Sequence, residues 1–300
     1  MNSLVLLFGI LVVLLLLVTG RQGLRNLLGL LLNLGLLFFL MTLISWKVNA
    51  VLAGAVLGVL MLAIAIFMSS DDTKTTAIAF KASLLVLAGV LILALVVQHL
   101  GQFQGFAGED NESLEELSLA VGLNFGDVAI VVMLISALGA VAEAAMAVTA
   151  DLMELVRQSS LEDGLSNLTE TAGGEKSDLT GLSKAAESEK IGLTAVSEVV
   201  AGEKKGLSNL TAEDLAHHRR IVSRQIAGTA LNTLFFTMLG TSVALILWMV
   251  RLGYTPAALL NSKLLMMDVV TMLIGMLGIL LVIWLSGHYV IMEFENSQDD

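Results

Sequence analysis

Asp127-Val-Ala-Ile-Val-Val-Met-Leu-Ile-Ser-Ala-Leu-Gly-Ala-Val-Ala-Glu143-Ala-Ala-Met-Ala-Val148 decides the fold class of this chain. About 20 apolar residues suffice for a helix to cross a bilayer, and this run is long enough. A chain in hydrocarbon must satisfy its backbone polar groups internally, so the run is read as helix. After the opening Asp127, Glu143 is the one charged side chain in it. An ionised group at membrane depth costs roughly 3 kcal/mol, so such a residue ordinarily has a partner or a task.

Six further runs of the same kind extend the reading outward: Leu4–Thr19, Leu27–Ser45, Val48–Met68, Ala79–Val97, Thr229–Val250 and Leu264–Ser286. Only 14% of the 300 residues are charged and mean hydropathy is +0.87. A soluble domain carries about 25% charged residues. The expected fold is therefore all-α, a polytopic transmembrane bundle of about seven helices. The alternating pattern of a membrane β-barrel is absent. The first run lacks a basic leader and a small-x-small cleavage site, so it is read as a retained helix.

The net charge of −11 conceals a division by side. Basic residues accumulate in cytoplasmic segments. An outside N-terminus puts Arg21, Arg25, Lys74, Lys81 and the basic residues from Arg157 to Arg224 inside; Lys47, Arg251 and Lys263 stay outside. The split is 13 against 3. The C-terminus is then cytoplasmic, the bilayer is the expected partner, and nucleic acid is not.

Three parts follow: a membrane portion at 1–157 with an outside loop near 98–126, a polar segment at 158–219, and a membrane portion with an acidic tail at 220–300. Within the outside loop, Ser113-Leu-Glu-Glu116 has the pattern of a helix capping box, so a short surface helix is expected there. The 158–219 segment has no aromatic residue and no proline, and Gly164-Leu-Ser-Asn-Leu-Thr169 recurs unchanged as Gly206-Leu-Ser-Asn-Leu-Thr211. It reads as an insertion grown by duplication, with too little apolar surface for a core of its own. His217 and His218 close it. No further ligands lie nearby, so a hydrated basic flank is read there rather than a metal site.

At 3.6 residues per turn, Ser136, Ala140, Glu143, Ala147, Asp151 and Glu154 share one stripe. Two readings stand: a proton or cation path with Glu143 as its deepest group, or a neutral carboxyl that packs against a neighbouring helix. Burial would favour the protonated form. Asp151 and Glu154 continue the stripe to the cytoplasmic end. In the sixth run Gln225, Thr229, Asn232, Thr233 and Gly240 lie mostly on one face, positioned to bond Glu143 or to line a wet cavity. Asn261, Asp268, Thr271, Gly275 and Gly278 are expected to share a face at the seventh. Gly54-Ala-Val-Leu-Gly58 has the small-residue spacing that lets helices approach closely. The chain has no cysteine, no proline within an apolar run, and none of the motifs H-E-x-x-H, G-x-S-x-G, P-loop or G-x-G-x-x-G. Neither enzyme chemistry nor a cofactor is expected.

Four stretches together resemble the YibE/F-like family of bacterial multi-pass membrane proteins. Gly20-Arg21-Gln22-Gly23-Leu24 is similar to its G-R-x-G-L opening. Leu138-Gly139-Ala140-Val141-Ala142-Glu143 with Met146 is similar to L-G-A-V-x-D…M-S-I-A-S, and Glu154 matches a Glu beyond it. Arg224 through Leu234 resembles R-D-I-x-G-T-M-x-N-T-L, and Asn261-Ser262 with Asp268 resembles N-S-E…E-I-V-R. The departures are Glu143 for Asp, Ala147 for Ser, Gln225 for Asp, Lys263 for Glu and Thr271 for Arg. The resemblance covers the membrane portion and leaves the repeat-bearing insertion outside. It implies a bacterial plasma-membrane location and a paired sister membrane protein, and it fixes class rather than function. The expected function is a permease-like protein moving its substrate with protons through a polar seam. The alternative is a non-transporting subunit that scaffolds a partner.

Overall fold

The computed structural model describes residues 3–101, 124–172 and 212–299. Among them are eight helices and no strand: α1 Ser3–Thr19, α2 Arg21–Ser45, α3 Ala50–Ser69, α4 Thr73–Gly101, α5 Phe125–Ala172, α6 Ala212–Arg251, α7 Pro256–Leu260 and α8 Lys263–Asp299. Six are long and apolar enough to cross a membrane. The seventh expected span is α1, whose 17 residues lie at the short end of the spanning range. This is a helical membrane bundle. The first repeat copy, Gly164–Thr169, lies in α5; the capping-box pattern at Ser113–Glu116, the second copy at Gly206–Thr211 and most of the insertion lie outside the described residues.

The connections explain themselves residue by residue. Gly20 joins α1 to α2 at φ +57°, a backbone state that glycine adopts without strain. A methyl at Gly23 would lie 2.6 Å from the Leu15 carbonyl oxygen, so the second glycine permits the tight corner. Between α2 and α3, the Asn49 side chain accepts the Leu52 N–H at 3.0 Å and caps α3. Trp46 is exposed beside Lys47, as an interfacial pair should be. Asp72 opens α4, accepting the Lys74 N–H at 3.0 Å and the Thr75 hydroxyl. That hydroxyl is the main reason the Asp72 carboxyl titrates below its ordinary value.

Helix α5 is the axis of the molecule. Its membrane window is 61% buried, against 11% for α6. Helices α3, α4 and α8 pack against it and α6 adds a side contact. Its buried face supplies Met133, Leu134, Val141, Val148 and Leu152 to a core shared with Leu62, Val90, Ile279 and Val282. Lipid tails are as apolar as these side chains, so close packing rather than water exclusion holds such helices together. Glycines set the spacing. A methyl at Gly54 would lie 2.7 Å from Val131 Cγ2, whereas one at Gly58 would meet Leu134 and Leu138 at ordinary distances of 3.6 and 3.7 Å. The G-x-x-x-G of α3 is a contact with α5, and its first glycine makes the close approach.

Both helices that border the insertion are longer than a bilayer is thick. At 1.5 Å per residue, α5 with 48 residues runs to about 72 Å. Residues 158–172 and 212–219, set apart by composition, continue α5 and α6. One end of the bundle collects charge: Arg25 pairs with Asp71, Arg157 acts on Asp72, and His218 Nε2 lies 3.4 Å from Asp151 Oδ2. This is the end that the basic-residue count assigns to the cytoplasm.

Candidate functional site

Glu143 is exposed, on the one face of α5 that its neighbours leave open. Gly139, Ala147 and Ala150 are exposed beside it, and Ser136 and Ala140 are half-buried. The small residues of the stripe therefore clear space in front of the carboxyl instead of admitting another helix of this chain. Among the described residues Glu143 has no hydrogen bond and no ion pair. Helices α3, α4 and α8 close on the opposite sides of α5, so within the described residues Glu143 does not pack against a neighbouring helix.

Packing contacts fix the depth of each polar group. Gly278 of α8 lies against Val141 of α5, and Gly275 lies against Leu234 of α6. Counting along the helices at 1.5 Å per residue, Glu143 and Thr229 are level to within about one turn. They are not bonded. The Thr229 hydroxyl donates to the carbonyls of Gln225 and Ile226 of its own helix, both at 3.1 Å. Asn232, Thr233 and Gln225 are exposed as well, and Thr237 returns its hydroxyl to the Thr233 carbonyl at 2.7 Å. The polar face of α6 therefore points out of the chain, and no hydrogen bond to Glu143 forms.

Asp268 is elsewhere. From the Gly278 level it lies about 15 Å toward the outer end, while Glu143 lies about 3 Å toward the inner one, so roughly 18 Å of bundle separates the two carboxyls. Its carboxylate accepts the Ser242 hydroxyl of α6 at 2.8 Å. The pair borders a cleft of about 220 Å³ whose other walls are Phe235, Met238, Leu239, Ile246, Leu265, Val269 and Met272. Asn261 does not share this face, because it terminates the short helix α7. Thr271 is buried and donates to the Met267 carbonyl at 2.8 Å.

At the charge-rich end of the bundle, Asp151 faces His218 across α5 and α6, and Glu154 accepts from Gln158 at 3.1 Å on its own helix. Among the described residues no group of three His, Asp or Glu side chains is gathered to hold a metal ion. Sequence reasoning missed Ser242. A serine in an apolar run is unremarkable until the register of α6 against α8 puts it opposite an aspartate.

The YibE/F-like protein family matches residues 7–163 and 193–294. The chain belongs to this family. No curated protein and no solved structure matches it. The YibE/F-like match breaks only between 163 and 193, inside the 158–219 segment set apart by composition. All the named polar residues of α5, α6 and α8 lie within the match. The protein is a multi-pass membrane protein of the YibE/F-like family.

Proposed function

We propose that this protein is a permease-like carrier in which Glu143 takes up and releases a proton as substrate crosses the membrane, with no covalent chemistry. One observation carries the reading: Glu143 stands at membrane depth on an open face cleared by small residues, unpartnered by any described group. A carboxyl held this way is retained at a cost that packing does not offset. Thr229 at the same depth and Asn232 one turn outward offer hydroxyl and amide contacts to whatever passes. Asp151 and Glu154 extend the acidic face toward the cytoplasm. The bacterial plasma membrane is the setting the family suggests.

The test is proton flux in proteoliposomes, read with an entrapped pH-sensitive dye. Glu143→Gln keeps shape and removes the titrating group; flux should fall by at least about tenfold while insertion and thermal stability hold. Flux equal to the parent protein's would remove Glu143 from the mechanism.

A second reading draws on α6, whose polar face Gln225–Thr229–Asn232–Thr233 is exposed along a helix only 11% buried. That face suits a subunit which docks a sister membrane protein. The chain has no cysteine, so Asn232→Cys introduces a unique thiol. Under this reading, it cross-links to a neighbouring membrane protein in native membranes; a thiol that forms no cross-link and is modified by water-soluble reagents argues for the carrier.

A further inference from the structure

We propose that the outer side of the α6–α8 pair, at the charge-rich end of the bundle, binds an anionic phospholipid whose phosphate is held by Arg220 and Arg224. The site stands whether or not anything is transported. Helix α6 brings Arg219, Arg220 and Arg224 to the point where it leaves its apolar stretch, and it carries no acid between Asp214 and Arg251. Helix α8 carries none between Asp268 and Glu293. Arg220 and Arg224 are exposed, and among the described residues no hydrogen bond or ion pair engages either. Arg25 and Arg157, at the same end, have Asp71 and Glu154 as partners. The chain supplies the α6 pair no such counter-charge.

One contact sets the geometry. Arg219 packs against Gly287 so closely that a methyl on the glycine would lie 2.6 Å from Arg219 Cδ. The residue before each turns inward: His218 lies 3.4 Å from Asp151 of α5, and Ser286 is buried. The residue after each is about 100° further round its helix, so Arg220 and His288 turn to the outer side together, and both are exposed. Nearer the membrane, Arg224 and Trp284 lie within about 3 Å of the same height. His288 stacks on Trp284 with ring centroids 5.9 Å apart, and the indole is 62% exposed. Beyond Arg224, α6 has no charged residue until Arg251, a rise of roughly 40 Å, which is the thickness of a bilayer with its headgroup layers. Arg224 thus stands at headgroup level, where an exposed tryptophan also belongs. Toward the membrane centre Leu281 and Leu277 continue the face of Trp284 and are exposed. A phosphate meets the guanidinium groups at the rim, and acyl chains lie along the leucines.

Chemistry selects the ligand. The planar fork of a guanidinium matches two phosphate oxygens, and side chains four residues apart on a helix are neighbours, so one phosphodiester can engage both arginines. The indole N–H of Trp284 is a further donor at that height. A zwitterionic lipid brings an ammonium to the same two cations and loses most of the attraction, whereas a headgroup with net negative charge keeps it. A soluble anion reaches the guanidinium groups too, but gains nothing from Leu277 and Leu281.

Native mass spectrometry of the full-length protein, released from detergent with phosphatidylglycerol or phosphatidylcholine of identical chains, tests the site. Phosphatidylglycerol should be retained at least about tenfold better than phosphatidylcholine. Arg220→Gln combined with Arg224→Gln should remove that preference, with a thermal midpoint near the parent's because neither side chain bonds the rest of the chain. Each single variant should lower the preference part-way, which gives the same reading if the double variant is not recovered. Arg157→Gln, at the same end on α5, should leave the preference intact; an equal loss there would mean that basic charge in general holds the lipid, and overturns the assignment. Equal retention of the two lipids by the parent protein, or a preference undiminished in the arginine variants, overturns it as well. Inorganic phosphate at millimolar concentration should leave the lipid in place, and displacement would assign the arginines to a free anion instead of a lipid.

Discussion

Gly278 of α8 packs against Val141 of α5 so closely that a methyl added to the glycine would lie 2.9 Å from Val141 Cγ2, and 3.3 Å from Val90 Cγ2 of α4. Three helices meet at this point. The contact fixes the height of α8 and with it the separation of Asp268 from Glu143. Both valines are essentially buried, and a β-branched side chain has little rotamer freedom in a helix. Gly278→Ala should therefore destabilise the bundle by about 1–3 kcal/mol, the usual range for overpacking. Gly275→Ala meets Leu234 Cδ2 at a similar 2.9 Å, but that atom ends a flexible side chain on a largely exposed helix. Thermal denaturation in detergent should show a clear drop for the first variant and little for the second. Equal midpoints would mean that the valines yield.

The two glycines of Gly54-Ala-Val-Leu-Gly58 should likewise separate. Gly54→Ala drives a methyl into Val131, with Cγ1 as well as Cγ2 within 3.0 Å. Gly58→Ala makes only ordinary contacts and replaces glycine with a better helix former, a gain of up to about 1 kcal/mol. The expected outcome is a lowered midpoint for Gly54→Ala and an unchanged or raised one for Gly58→Ala. A symmetric loss in both would point to a contact on α3 beyond α5.

Class and span number were legible because the bilayer imposes them: each apolar run must be long, and each must be helical. Gly20-Arg21-Gln22-Gly23 stood out only as a motif, and the structure shows that it is a corner in which Gly23 yields space to the Leu15 carbonyl. Which face of a helix turns inward was not legible. In lipid both faces are apolar, so Glu143 and Thr229 gave no sign of being left on open faces. Helical spacing put Glu143 on a stripe of small residues, and small residues suit either a close helix or an empty groove. Asp268 and Ser242 meet through the register of α6 against α8, which neither helix encodes alone.

Asp72 offers a pH test outside the membrane. Its folded carboxyl titrates below the ordinary value because the Thr75 hydroxyl and the Lys74 N–H stabilise the charged form. A folded pKa below the unfolded one means that this stabilisation is complete above the unfolded pKa. It is lost as pH falls through the lower folded value. Asp72→Ala removes the cap and should cost about 1 kcal/mol at neutral pH. Thermal midpoints measured from pH 7 down to pH 3 should show the gap between parent and variant narrowing at the acid end. A gap that stays constant across the range would show that the charge of Asp72 contributes nothing beyond its hydrogen-bonding shape.

Glu143 admits a sharper test than loss of flux, because its two sequence-level readings make opposite predictions for stability. A packing carboxyl is hydrogen-bonded to its surroundings, and removing it leaves unpaired partners, which lowers stability by about 1–3 kcal/mol. A carboxyl retained for proton transfer on an open face has no such partner, and an apolar replacement removes the cost of holding it at membrane depth. Glu143→Leu should thus raise the thermal midpoint of the bilayer-reconstituted protein, by the equivalent of up to about 3 kcal/mol, while abolishing proton flux. The exposure of Glu143 and of Ala147 and Ala150 beside it leaves room for the leucine without a clash. Stability that falls instead would mean that Glu143 is bonded in the assembled membrane, which favours the docking face over the carrier.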